Sequence, residues 1–206
     1  MNLIKDLYEK SCLTLFIIGS LLFIGLWGNI SNVFHIIGPQ YAPGKWVIFF
    51  IGLSSLIDMV TGANGAILGT SKYYKVQTYF LGILVVLLII TNLILIPRLG
   101  IMGAAIGSAI SLSVLNLLRY LFLLFKFRLQ PFNVKFVYVA LLAAGSYFIS
   151  TLLPPLSNYI VDILVRSTLL TILFCTPVYL FGISSDINAK ADQILQKINN
   201  TVKKQR

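Results

Sequence analysis

The feature that most constrains this chain is a series of long apolar segments separated by short polar stretches. The first, residues 12–34, contains no charged side chain. A helix needs about 20 mostly apolar residues to span the hydrocarbon core of a bilayer. Six segments approach or exceed that length, at residues 12–34, 46–70, 78–96, 101–125, 136–153 and 160–181. We therefore predict an all-α, polytopic membrane bundle of about six transmembrane helices.

The composition leaves little material for a soluble domain. Of 206 residues, 58% are hydrophobic and only 11% are charged, whereas soluble domains carry about 25% charged residues. We divide the chain into a cytoplasmic lead-in (1–11), a six-helix transmembrane region (12–181) and a basic cytoplasmic tail (182–206). In the tail, apolar residues recur at helical spacing, which favours an amphipathic helix on the membrane surface. A partly disordered tail is the alternative. The apolar positions are Ile187, Ala191, Ile194, Leu195, Ile198 and Val202.

Prolines predict how several of these segments end. The sequence 97–100, Pro-Arg-Leu-Gly, predicts a tight hairpin between the third and fourth helices. Pro154 and Pro155 should end the fifth helix, because proline lacks an amide proton and clashes with the preceding turn. Pro177 lies inside the sixth segment, where we expect a kink.

The basic residues predict the orientation, since loops rich in Lys and Arg face the cytoplasm. With the N-terminus inside, twelve basic residues are cytoplasmic and three are outside. The cytoplasmic set is Lys5, Lys10, Lys72, Lys75, Lys126, Arg128, Lys135, Lys190, Lys197, Lys203, Lys204 and Arg206; the outer set is Lys45, Arg98 and Arg166. We expect a multi-pass protein of the cell inner (cytoplasmic) membrane with both termini cytoplasmic. Its basic residues then face membrane lipids, and nucleic acid is not expected as a partner.

No motif of an enzyme is present. The sequence has no HExxH, GxSxG or Walker loop, and it contains one histidine. We therefore predict no catalytic residues, no metal site and no cofactor.

Polar residues inside the apolar segments are the candidate site. An ionisable side chain at membrane depth costs about 2.5–3.5 kcal/mol on insertion scales, so it marks a pathway or a buried pair. Asp58, Thr61 and Asn64 follow one another at steps of three, on adjacent parts of one helical face. Gly62 and Gly65 interrupt the same stretch and should let it bend. These polar residues either line a cavity or only hold helices together.

The fourth segment contains two further patterns. Gly103, Gly107 and Ser111 form a stripe of small residues, which predicts close contact with another helix. Asn116 and Arg119 follow, one turn apart. The Arg119 side chain either reaches the membrane interface or projects into a cavity, where a guanidinium suits a phosphate or pyrophosphate.

Three stretches resemble the C-terminal half of bacterial polysaccharide biosynthesis proteins. Those proteins are lipid-linked oligosaccharide flippases of the multidrug/oligosaccharidyl-lipid/polysaccharide exporter superfamily. The matching stretches are DMVTGANGAILGTSKYY (58–74), TNLILIPRLGIMGAAIGSAIS (91–111) and NLLRYLFLLFKFRLQPF (116–132).

The resemblance implies a transporter that moves a polyprenyl-pyrophosphate-linked glycan, a precursor of lipopolysaccharide O-antigen, capsule or another polysaccharide, by alternating access. Members have two lobes around a central cavity. This chain resembles one lobe plus the terminal helices, so we expect a C-terminal fragment that needs the missing N-terminal lobe or a second transporter subunit. Arg119 would bind the anionic headgroup, and Asn116, Asp58, Thr61 and Asn64 would line or gate the cavity. The alternatives are a cation-coupled multidrug exporter, with Asp58 as the coupling carboxylate, and a nonenzymatic membrane scaffold subunit.

Overall fold

A computed structural model describes residues 2–204, with side chains given except at residues 2, 191, 194, 195 and 198–204. Within this range the chain is helical and contains no β-strand. A 3-10 helix, Pro39–Gly44, links α2 and α3. The α-helices are α1 (Asn2–Gly28), α2 (Ile30–Ile37), α3 (Lys45–Thr61), α4 (Asn64–Thr70), α5 (Tyr74–Leu99), α6 (Ile101–Phe127), α7 (Val134–Thr151), α8 (Tyr159–Leu180) and α9 (Ser185–Lys204).

Six of the described segments are long and apolar enough to cross a membrane. They are Leu3–Gly28, Pro39–Thr61, Tyr74–Leu99, Ile101–Phe127, Val134–Thr151 and Tyr159–Leu180. At 1.5 Å per residue, the 26 residues of α5 extend about 39 Å, more than the thickness of the hydrocarbon core. The predicted all-α membrane bundle of about six spanning helices is confirmed.

The long helices pack as two groups of three. In one group α6 lies against both α3 and α5, and in the other α1 lies against α7 and α8; contacts between α1 and α3 join the groups. The buried apolar core is centred on α1, α7 and α8, where Cys12, Val139, Leu170 and Phe174 are inaccessible to solvent. By contrast, α5 has no buried residue. Such an apolar outer surface suits a bilayer rather than water.

The links that the orientation argument assigned to the cytoplasm meet at one end of the bundle, which we call the basic end. It comprises the first turns of α1, the links 71–73, 128–133 and 181–184, and the first turn of α9. The Lys126 ammonium lies 5.3 Å from the Tyr73 ring, and the Asn133 amide donates a hydrogen bond to the Glu9 carboxylate. The loops that the orientation argument assigned to one side therefore lie on one side of the molecule.

The first two predicted segments are each divided in the structure. Residues 12–34 do not form one helix, because α1 ends at Gly28 and α2 begins at Ile30. Between them, the Asn29 amide donates to the Gly25 carbonyl at 2.8 Å and to the Ser167 hydroxyl at 3.0 Å. At its other end α1 extends back through residues 2–11.

The second segment, residues 46–70, bends as predicted, and the bend is a complete break. Gly62 has φ +59°, and a Cβ atom there would lie 2.6 Å from the Cys12 sulfur. Only glycine combines this conformation with this close approach. As a result α3 ends at Thr61 and α4 starts at Asn64.

The expected hairpin at 97–100 is shorter than predicted. Helix α5 continues through Pro97 to Leu99, and Gly100, with φ +58°, alone joins it to α6. Pro97 has no amide hydrogen to bond the carbonyl four residues earlier, and α5 ends two residues after it. Before Pro154 and Pro155, α7 ends at Thr151 as expected.

The stripe of small residues packs as predicted. A Cβ atom on Gly103 would lie 2.2 Å from the Leu95 carbonyl oxygen, so α5 and α6 touch through their backbones. Further along, the Thr91 hydroxyl lies 3.2 Å from the Ser111 hydroxyl. Close contact of this kind requires small side chains on one of the helices.

Residues Ser185–Lys204 of the tail form the helix that the apolar spacing favoured, and its position at the membrane surface stays a prediction. The Ser184 hydroxyl accepts a hydrogen bond from the Ile187 amide and so caps α9. The Tyr179 hydroxyl and the Asp192 carboxylate, 2.5 Å apart, connect α8 to α9. The side chains of Ala191, Ile194, Leu195, Ile198 and Val202, on which the apolar face was predicted, lie outside the described residues.

Candidate functional site

The structure brings together three of the five predicted site residues. Asp58, near the end of α3, accepts a hydrogen bond at 3.0 Å from the Asn116 amide of α6. One turn further along α6, the Arg119 Nε donates to the side-chain oxygen of Gln77 on α5 at 3.1 Å. We call Asp58, Gln77, Asn116 and Arg119 the polar cluster. It joins α3, α5 and α6 inside a largely apolar group of helices.

The polar cluster is buried on one side and open on the other. Asn116 is 1% exposed, Arg119 is half-buried and Asp58 is exposed. Arg119 lies eight residues before the end of α6 at Phe127, a distance of about 12 Å along the helix. Gln77 is the fourth residue of α5, so the cluster extends from within the spanning part of α6 towards the basic end. A carboxylate exposed to acyl chains at this depth is costly. The open side is therefore expected to face water or another polypeptide.

Two amides at or beside the cluster retain hydrogen-bonding capacity. The Asn116 Oδ1 and Asn64 Nδ2 atoms are buried and have no hydrogen-bond partner among the described residues. A buried polar atom normally finds a partner in protein, water or ligand. This capacity is consistent with a site that accepts water or a polar ligand.

Gly65 gives the Arg119 side chain its space. A Cβ atom at Gly65 would lie 3.4 Å from the guanidinium carbon of Arg119. The break at Gly62 is what places α4, with Gly65, beside this group. The glycines of this stretch therefore shape the site as well as the helix.

Thr61 lies in the same helix as Asp58, three residues further on, as predicted, but Asn64 lies beyond the break, at the start of α4. Both are buried, whereas Asp58 is exposed. The Thr61 hydroxyl donates to the backbone carbonyl of Asp58 at 2.9 Å, within its own helix. The helix break after Thr61 rotates Asn64 out of the register that steps of three assume.

Sequence reasoning missed Gln77 and the ion pair of α8. Gln77 lies in a polar stretch at the start of α5, and only the packing of α5 on α6 brings it to Arg119. Asp162 and Arg166 form an (i, i+4) pair inside an apolar run. That spacing is typical of a helical ion pair and was the available signal.

Arg166 is not an outer loop residue, which corrects its place in the charge count. It is 9% exposed within α8 and its Nε lies 3.2 Å from the Asp162 carboxylate. Its Nη1 donates to the Ser150 carbonyl at 2.6 Å, near the end of α7. Asp162 also accepts from the Asn32 amide and, at 3.2 Å, from the Leu156 backbone amide. The pair ties together α2, α7 and α8, and it leaves Lys45 and Arg98 as the basic residues that the charge count predicts on the outer side.

The polar cluster combines groups of different charge and hydrogen-bonding type. It offers a guanidinium, a carboxylate and two amides, a set that recognises charged or polar groups through hydrogen bonds. No protein-family model, curated protein or solved structure matches this chain. The transporter resemblance of the three sequence stretches stays a prediction.

Proposed function

We propose that this chain is part of a transporter that flips or exports a lipid-linked oligosaccharide across the cytoplasmic membrane by alternating access, with both termini in the cytoplasm. The observation that carries the proposal is the polar cluster, which lies within the spanning helices and is open on the side of Asp58. Ionisable residues at this depth are expected at substrate pathways.

Arg119 is the group we assign to the anionic headgroup. Gln77 engages its Nε, and its two terminal nitrogens make no hydrogen bond to the described residues. A guanidinium fixed in this way presents a planar fork of donors that matches a phosphate or pyrophosphate. Gln77 would orient the side chain and leave the fork free for a polyprenyl-pyrophosphate-linked glycan.

Asp58 and Asn116 are assigned to the wall of the pathway. Asn116 holds the Asp58 carboxylate with one amide hydrogen, while its own side-chain oxygen stays available. Thr61 and Asn64 lie behind this wall, where they would support the bend rather than meet the substrate. The exposed side of Asp58 would be covered by a second lobe, either an N-terminal lobe of the same protein or a second subunit.

The test replaces Arg119 with alanine in the cell that produces the glycan. We expect Arg119→Ala to abolish export of surface glycan at normal protein level, and Arg119→Lys to restore it only in part, because an ammonium lacks the planar fork. The control is Arg98→Ala, which removes an exposed arginine in the last turn of α5. Full export by Arg119→Ala, with immunoblots showing equal protein, would refute the assignment.

A cation-coupled multidrug exporter is the second candidate, and the exposed Asp58 carboxylate favours it. Its carboxylate accepts a hydrogen bond from the neutral Asn116 amide and lies close enough to Arg119 to interact with its charge, so a coupling cation would compete with that guanidinium. Under this alternative, Asp58→Asn removes proton- or sodium-dependent dye efflux from vesicles. Absence of such efflux in the parent protein would dismiss the exporter. If Asp58→Asn and Arg119→Ala each lower the protein level without a separate transport defect, the polar cluster only holds helices together, as expected of a scaffold subunit.

A further inference from the structure

A second candidate site lies at the basic end, away from the polar cluster. A cavity of about 230 Å³ opens between α1, α7 and the α8–α9 link. Leu13 and Ile183 form its apolar part. Its polar lining consists of Asp6, Glu9, Lys10, Lys135, Ser184 and Ser185.

The cavity presents charges of both signs. The Asp6 and Glu9 carboxylates form no ion pair with the Lys10 and Lys135 ammonium groups. Glu9 accepts a hydrogen bond from the neutral Asn133 amide, and Asp6, Lys10 and Lys135 are exposed. A ligand with a positive and a negative group would find a partner for each.

An apolar groove continues from this cavity. Its volume is about 580 Å³, within the range of about 300–1,000 Å³ that small-molecule sites occupy. Lys135 and Ile183 belong to both walls, and Tyr138, Leu141, Leu142 and Phe181 complete the groove. Lys135 lies in the first turn of α7, and the leucines follow about two turns further into the spanning segment. The polar cavity is thus at headgroup level and the groove runs beside the acyl chains.

We propose that the cavity and groove together bind one phosphatidylethanolamine molecule of the adjoining leaflet. Its phosphate meets Lys135 and Lys10, its primary ammonium donates hydrogen bonds to Asp6 and Glu9, and an acyl chain lies along Leu141 and Leu142. A purely anionic headgroup would face two carboxylates, which repel it. A choline headgroup has no N–H to donate to them. This assignment is independent of what the protein transports.

Native mass spectrometry of the purified full chain in detergent tests the proposal. Phosphatidylethanolamine, its mono- and dimethyl derivatives, phosphatidylcholine and phosphatidylglycerol are supplied with identical acyl chains. We expect bound lipid to fall stepwise with each added methyl group. The expected difference between phosphatidylethanolamine and phosphatidylcholine is about tenfold, equivalent to about 1.4 kcal/mol.

Variants locate the binding at this cavity. Asp6→Asn combined with Lys135→Gln should remove the preference for phosphatidylethanolamine, and both residues are exposed, so folding is unaffected. Lys72→Gln, an exposed residue at the same end but outside the lining, is the matched control and should keep the preference. Equal binding of phosphatidylcholine, stronger binding of phosphatidylglycerol, or an unchanged preference in the double variant would each overturn the proposal.

Discussion

Arg166 illustrates how a single charge is accommodated inside an apolar helix. Its guanidinium is satisfied by the Asp162 carboxylate and by the Ser150 and Leu153 carbonyls. Carbonyls at the end of a helix lack intrahelical donors and carry the negative end of its dipole. The Arg166 guanidinium therefore neutralises the Asp162 carboxylate and satisfies carbonyls at the end of α7. Removing either Arg166 or Asp162 would leave the other as a buried, unpaired charge.

We predict that Arg166→Met lowers stability strongly. The change leaves Asp162 as a buried, unpaired charge, and breaking a buried pair in this way costs about 3–5 kcal/mol. The measurement is the midpoint of thermal unfolding in detergent, with Arg98→Met as the exposed control. If the pair is coupled, adding Asp162→Asn to Arg166→Met costs less than the sum of the two single changes. Additive effects would contradict the pairing.

The sequence identified the polar residues inside the apolar segments, but it did not identify which residues they contact. Asp58, Asn116 and Arg119 stand out because each interrupts an apolar run, and they meet in the fold. Thr61 and Asn64 stand out equally but are buried. The Thr61 hydroxyl bonds carbonyls of its own helix, and the break at Gly62 takes Asn64 out of the register of α3. Gln77 could not be identified from the sequence, because glutamine is common near the start of a helix. Only the packing of α5 on α6 brings it to Arg119.

At the scale of elements, glycine decides where helices break and where they touch. Gly62 ends α3, and Gly103 lets the backbone of α6 reach that of α5. The sequence predicted both positions. Small residues at i, i+4 and i+8 allow two helices to pack closely, and the glycines of a Gly-Ala-Asn-Gly stretch let a helix bend. The break at Asn29 was not predicted. At the break, the Asn29 amide donates a hydrogen bond to Ser167, 138 residues away, a contact that no local pattern contains.

We predict that Gly103→Ala separates α5 from α6 and lowers stability. The added Cβ would lie 2.2 Å from the Leu95 carbonyl oxygen, and overpacking of this kind costs about 1–3 kcal/mol. Thermal unfolding in detergent again provides the measurement. Gly82→Ala on α5 is the control, since a Cβ there meets nothing within 4 Å and alanine favours the helix by about 0.5–1 kcal/mol. Equal effects of the two changes would argue against close contact at Gly103.

At the scale of the whole molecule, the number of spanning helices followed from hydropathy alone. The pairing of helices did not, because every long helix is apolar on most sides and the sequence contains few constraints on its neighbours. The segregation of basic links did follow from sequence, and the fold gathers them at the basic end. This common end gives the orientation argument its structural basis.

Labelling from the two sides of the membrane tests the account most directly. Single cysteines replace four exposed residues in a Cys12→Ala, Cys175→Ala background: Lys72 and Ser185 at the basic end, and Gln40 and Ser157 at the opposite end. We predict that a membrane-impermeant thiol reagent added outside intact cells labels Gln40→Cys and Ser157→Cys. Lys72→Cys and Ser185→Cys should react only after the cells are opened. Labelling of Lys72→Cys and Ser185→Cys from opposite sides would contradict the bundle and the transport proposal together.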